Sequence, residues 1–249
     1  MKTRALVSLI ACITLPTQLS FAEDIAFFEG DFEPGSWSAF SPFWSGLPDH
    51  GEQMNVTSDR FIGGNPANAF MVTQYMLDFP NPTFNVAHAP IMMNAFTYNP
   101  SVDGAIEEIA GSMHTMPVSG TGGFAYVLPR MYIVQDGRVY TSWHSENWGG
   151  FLGDDAAQIR NFDSYTADDF FEIELNVGLN LDSHPDFAGS AMQFGFGVQL
   201  TSTNLQDVGS LTRVLGFDDV SVRLNTVPAP GGLALLGLAG LATRRRQRL

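Results

Sequence analysis

The chain has 249 residues, 45% hydrophobic and 15% charged, with 20 Phe, 25 Gly and one cysteine, a composition that excludes a disordered polymer and allows one sizeable core. The formal net charge of −14 is unevenly spread, because between Glu23 and Thr226 all 26 acids stand against six arginines and no lysine. Such a field repels phosphate backbones and excludes nucleic-acid binding, while divalent cations and neutral sugars stay open as ligands.

In chain order, residues 1–22 have a short basic start, an apolar run from Ala5 to Leu15, Pro16, and small residues at Ser20 and Ala22. This is the pattern of a secretory signal peptide, with cleavage by signal peptidase expected after Ala22. A lipoprotein signal ending at Cys12 is the rival, with few apolar residues before the cysteine. Downstream of Cys12 the chain has no thiol, so residues 23–226 hold no disulfide framework, thiolate zinc site or cysteine nucleophile.

The stretch 23–226 reads as one domain built of short strands. Strands are expected at Ile25 to Glu29, Gln53 to Thr57, Ala69 to Tyr75, Ile91 to Tyr98, Ile106 to His114, Met131 to Gln135 and Arg138 to Trp143. Asp136-Gly137 supplies a two-residue hairpin turn, since both positions tolerate positive φ. Thr166 is an expected N-cap for one short turn, with Asp169 in place of the usual glutamate. Ile173, Leu175 and Val177 alternate with Glu172, Glu174 and Asn176. The clearest period of two is Met192, Phe194, Phe196, Val198 and Leu200, alternating with Gln and Gly. Val220, Val222 and Leu224 repeat the pattern around Ser221 and Arg223. Each of these is expected to bury one face and wet the other. Ten or more such strands predict an all-β, antiparallel two-sheet sandwich of jelly-roll type.

Two short fragments carry a resemblance to bacterial jelly-roll domains of the carbohydrate-binding-module and concanavalin-like kind. Asp31-Phe32-Glu33-Pro34-Gly35-Ser36-Trp37 resembles their opening, and Gly216-Phe217-Asp218-Asp219-Val220-Ser221-Val222 resembles their closing strand. The resemblance implies that first and last strands are neighbours and share a structural calcium ion. Glu29, Asp31 and Glu33, spaced by two, with Asp218 and Asp219 opposite, are the expected calcium ligands, since calcium takes six to eight oxygens. Five carboxylates that are simply solvated are the plainer reading in so acidic a chain.

Trp37 and Trp44, and Trp143 and Trp148, head two aromatic groups suited to stacking on the apolar face of a pyranose, so these four are the candidate ligand-binding residues. Core plugging is the alternative use of aromatics at strand ends. No HExxH helix, GxSxG elbow, phosphate loop or dinucleotide turn occurs, and the five histidines are isolated in sequence. Glu172-Ile173-Glu174 begins like the ExDxxE strand of concanavalin-like glycosidases, but Leu175-Asn176-Val177 does not continue it. No catalytic residue is expected.

Residues 227–249 start with Val227-Pro228-Ala229-Pro230, continue through an apolar stretch from Gly231 to Ala242, and close on Arg244, Arg245 and Arg246 with Arg248. Twelve residues make about 18 Å of helix, short of the roughly 30 Å hydrocarbon core, with the arginines on the cytoplasmic side. The order of proline pair, short Gly/Ala/Leu helix and terminal arginines resembles the PEP-CTERM sorting signal of Gram-negative bacteria, with Ala229 where that family usually has glutamate. The resemblance implies transient inner-membrane anchoring, processing by an exosortase-like enzyme, and release to the cell surface or extracellular matrix beside exopolysaccharide. The expectation is thus an exported, non-catalytic sandwich that binds a glycan. A purely structural matrix protein and a divergent glycoside hydrolase or lyase are the alternatives.

Overall fold

A computed structural model describes residues 23–39, 43–45, 53–62, 69–78, 85–121, 125–142, 158–174, 177–202 and 210–227. The expected cleavage after Ala22 and the expected sorting residues from Pro228 to Arg246 therefore lie outside the described residues, as do the side chains of Trp44, Trp143 and Trp148. Among the described residues no helix is long and apolar enough to cross a membrane.

The described chain is almost entirely strand. In order these are β1 (Glu23–Glu29), β2 (Trp37–Ala39), β3 (Phe43–Ser45), β4 (Gln53–Ile62), β5 (Ala69–Asp78), β6 (Asn85–Tyr98), β7 (Ala105–Thr121) and β8 (Ala125–Gln135). There follow β9 (Arg138–Ser142), β10 (Gln158–Tyr165), β11 (Phe170–Glu174), β12 (Gly178–Asn180), β13 (Met192–Ser202) and β14 (Ser210–Val227). One helical turn, α1 (Pro100–Asp103), joins β6 to β7.

All pairing is antiparallel, in two sheets that form a jelly-roll-type sandwich. The first sheet runs β10-β7-β14-β5-β4. β14 is long enough to pair with β7 along one side and with two strands on the other, β5 against Ser210 to Phe217 and β1 against Val220 to Thr226. The first and last described strands are thus neighbours, as the resemblance implied. The second sheet runs β12-β11-β9-β8-β13-β6-β2, with β3 also on β6.

The core lies between the sheets and follows the period of two. Met192, Phe194, Phe196, Val198 and Leu200 of β13 all enter it, as do Val220, Val222 and Leu224 of β14. Phe196 and Phe217 meet across the sandwich with ring centroids 4.9 Å apart, and Phe27 stacks on Phe96 at 5.3 Å. Truncating one such buried ring costs about 3–5 kcal/mol through lost transfer energy and the cavity left behind.

The hairpin turn sits where the sequence put it, with Asp136 at φ 52° and Gly137 at φ 77° between β8 and β9. The Asp169 carboxylate accepts from both the N–H and the hydroxyl of Thr166, closing the expected capped turn over Ala167–Asp169. β10, β12 and the two short strands β2 and β3 were not anticipated. Tertiary pairing to long neighbours sets these, and three residues carry too short a pattern to be read locally.

Candidate functional site

The sequence assigns a wet face to β13, and the structure corrects this. In β6, β8, β9 and β13 the residues that alternate with the core fall on the outer face of the second sheet, yet the middle of that face is buried, while Ala95 and Thr97 toward the end of β6 are exposed. Met92, Tyr132, Val139 and Ile173 form a second apolar cluster there, with Val134 and Leu179 packed against it. Beside it stand His88, Arg130, Thr141 and Gln199, all buried. The physical reason is curvature. β3 and β12, from opposite margins of the sheet, come into contact. That contact bends the sheet around its outer side.

Its polar half is tied together by hydrogen bonds across strands. Arg130 Nε donates to Gln199 Oε1 at 3.1 Å, and one terminal nitrogen donates to the Ser142 carbonyl oxygen at 3.0 Å. The Tyr132 hydroxyl donates to the Val198 carbonyl oxygen at 3.0 Å, and His88 Nδ1 lies 3.2 Å from the same hydroxyl. Burial and then the Arg130 charge lower the His88 pKa to about 3, so the imidazole is neutral. Burial raises the Tyr132 hydroxyl well above its ordinary value, partly offset by Arg130, and the same burial lowers Arg130.

Apolar surface with a few convergent donors and acceptors is the usual lining of a binding site, and here both are buried at the middle of one sheet face. His88, Arg130, Tyr132 and Gln199 were missed in sequence. Their signal was present: polar groups on the alternate register of strands whose other register is wholly core.

The tryptophans fall differently. Trp37 on β2 pairs with Met93 and packs on the main core, with its indole N–H buried and unpartnered among the described residues, so its ring serves the core. Trp44 lies on β3 opposite Ala87, while its neighbour Phe43 is the residue opposite His88. Trp143 is the residue after Ser142, whose carbonyl holds Arg130.

The five expected calcium ligands are not assembled into one cage. Glu29 turns back on its own loop, where Oε1 accepts from the N–H groups of Asp31 (3.1 Å) and Phe32 (2.6 Å). Glu33 pairs with Arg60 at 2.7 Å, and Arg60 Nε also takes the Asp31 carbonyl oxygen. Asp218 and Asp219 do come together, and His114 of β7 joins them, a residue the sequence gave no reason to choose. Burial pushes the Asp218 carboxyl up, with the charges of Asp219 and Asp31 adding to it, against the pull of the Asp219 N–H and His114.

These three residues sit on the outer face of the first sheet. Next to them the row Asn161, Ser112, Ser221 and Phe28 crosses β10, β7, β14 and β1, with Ser112 and Ser221 hydroxyls 2.9 Å apart and Phe28 66% exposed. A groove of about 160 Å³ follows, lined by Ala110, Ser112, Asn161, Asp163, Ser221 and Arg223.

No family model and no curated protein matches the chain. Among solved structures it is similar to a family 11 carbohydrate-binding module from Clostridium thermocellum in complex with a β-1,3-1,4-mixed-linked tetrasaccharide, at 13% identity and a TM-score of 0.38, over 82% of this chain and 97% of that one. The family 11 module of the cellulosomal cellulase Lic26A-Cel5E of the same organism matches at 12% identity and a TM-score of 0.38, over 81% and 95% of the two chains.

Proposed function

We propose that this protein is an exported, non-catalytic glycan-binding sandwich acting at the bacterial cell surface or in the extracellular matrix. The observation that carries the reading is the polar row Arg130, His88, Tyr132 and Gln199, buried at the middle of one sheet face beside an apolar cluster. Placing a guanidinium, an imidazole and an amide at the buried middle of a sheet face costs desolvation that apolar side chains would avoid. Directional donors and acceptors beside apolar surface suit a sugar, which presents hydroxyl edges and apolar ring faces. The acidic chain disfavours polyanions, so the ligand is a neutral polysaccharide. Residues 1–22 support export by signal peptidase, and residues 227–249 support exosortase-like processing after transient anchoring in the inner membrane.

Affinity electrophoresis through neutral polysaccharides (mixed-linked β-glucan, xylan and mannan), with alginate as the charged control, tests the binding. Retardation by a neutral polymer, lost in Arg130→Met and kept in Phe28→Ala, is expected. The reverse pattern would move the site to the first sheet, and no retardation by any neutral polymer would overturn the reading in favour of a structural matrix role. Intact mass of the protein from its host tests the sorting: loss of both residues 1–22 and the arginine tail is expected, whereas a retained tail would mean a membrane-anchored protein.

A further inference from the structure

We propose that His114, Asp218 and Asp219 bind one divalent transition-metal ion of the zinc class, through the imidazole Nδ1 and one carboxylate oxygen from each aspartate, with water completing the shell. The proposal departs from the calcium expectation in its donors. Calcium binds oxygen ligands, but here two of the five expected carboxylates are engaged elsewhere, Glu29 by backbone N–H groups and Glu33 by Arg60. An imidazole nitrogen stands in their place, and nitrogen with carboxylate oxygen suits zinc and its neighbours in the first transition row.

The three donors come from two adjacent strands. Register places His114 of β7 opposite Asp218 of β14. Consecutive residues of a regular strand point to opposite faces, so two adjacent aspartates would not ordinarily converge. Here the pairing of β14 with β7 shifts between Asp218 and Ser221, and Asp219 takes φ 47°. The shift turns the Asp219 carboxylate to the His114 side, and the three ligand atoms lie within 4.8 Å of one another.

The distance between His114 Nδ1 and Asp219 Oδ2 is 3.4 Å. That is long for a charge-assisted hydrogen bond, which closes to about 2.7–2.9 Å. It is close to the edge of a tetrahedron with metal–ligand bonds of about 2.0–2.1 Å, roughly 3.3 Å. All three residues are partly exposed, so an ion can enter and one coordination position faces solvent. A bound ion would cross-link β7 to β14 where β1 ends, and would relieve the repulsion among Asp31, Asp218 and Asp219.

The test is titration of the chelator-treated protein with zinc chloride, and separately calcium chloride, by calorimetry, followed by the visible spectrum of the cobalt(II) form. One equivalent of zinc is expected beyond the binding of His114→Gln, a variant of similar size, and the same equivalent should vanish in Asp219→Asn. Glu33→Gln should keep it, whereas a five-carboxylate calcium cage would be weakened by that change. The cobalt form should show the intense d–d bands of four-coordination, absent in His114→Gln. Equal zinc stoichiometry in the parent and His114→Gln would overturn the proposal. So would tight one-to-one calcium binding that zinc does not displace. Circular dichroism of each variant confirms that the sandwich is intact.

Discussion

The hydroxyl of Tyr132 lies between the carbonyl oxygen of Val198, 3.0 Å away, and His88 Nδ1, 3.2 Å away, so one side chain of β8 links β13 to β6. A phenol has one proton, and here Val198 receives it. The contact with His88 then requires that Nδ1 carry the imidazole hydrogen and donate to the Tyr132 oxygen. Tyr132→Phe keeps the ring and leaves a buried carbonyl and a buried N–H without this partner. A loss of about 1–3 kcal/mol in stability is expected from urea unfolding. A change under about 0.5 kcal/mol would show that the hydroxyl is not part of a stabilising network.

The same imidazole sets a pH dependence. The native state keeps His88 neutral down to about pH 3, while the unfolded chain takes up a proton near pH 6.5. Between those values the unfolded state binds more protons, so stability rises with pH across the window and is lost as pH falls through it. His88 alone contributes a slope of at most about 1.4 kcal/mol per pH unit. Denaturant midpoints measured from pH 7 to pH 4 should fall less steeply in His88→Gln than in the parent. Parallel profiles would contradict the assignment.

Gly197 lies where β13 passes so close to β6 that an added Cβ would collide with the Ala89 carbonyl oxygen and come 3.1 Å from its carbon. The obstacle is backbone, which cannot swing aside as a side-chain tip can. Gly197→Ala is expected to cost more than about 2 kcal/mol and to disturb the buried middle of that sheet face. Thermal unfolding checks this, and an unchanged midpoint would mean that β6 moves more freely than its pairing suggests.

Glu29 fixes the turn after β1. Its carboxylate caps the N–H groups of Asp31 and Phe32, and Phe32, fully buried, is held at φ 45°. Glu29→Ala should cost about 1–3 kcal/mol, because hydrogen bonds to a charged acceptor are lost in a strained turn. Glu33→Ala, which breaks an exposed pair with Arg60, should cost under about 1 kcal/mol. If calorimetric unfolding ranked the two in the opposite order, Glu29 would not be acting as a cap.

Much of this architecture was legible locally. The run from Met192 to Leu200 alternates because a strand has two faces, and all five of its apolar residues reached the core. Asp136-Gly137 and the Thr166–Asp169 cap were readable because turn and cap chemistry act over two or three residues. The carboxylates expected on one strand face are arranged differently for a related reason. Spacing placed Glu29, Asp31 and Glu33 on one strand face, but β1 ends at Glu29 and the chain then turns, so period two no longer applied.

The sequence by itself determined an all-β chain whose strands alternate apolar residues, a strongly acidic character, and the composition of both termini. These are local or additive properties, decided by neighbours in the chain and by summed charge. Only the tertiary structure decided that the middle of the second face of β6, β8, β9 and β13 is buried rather than wet, and that His114 meets two aspartates more than a hundred positions away. Both outcomes depend on strand register and sheet curvature, which arise from pairings between distant segments and leave no periodic trace in any one of them.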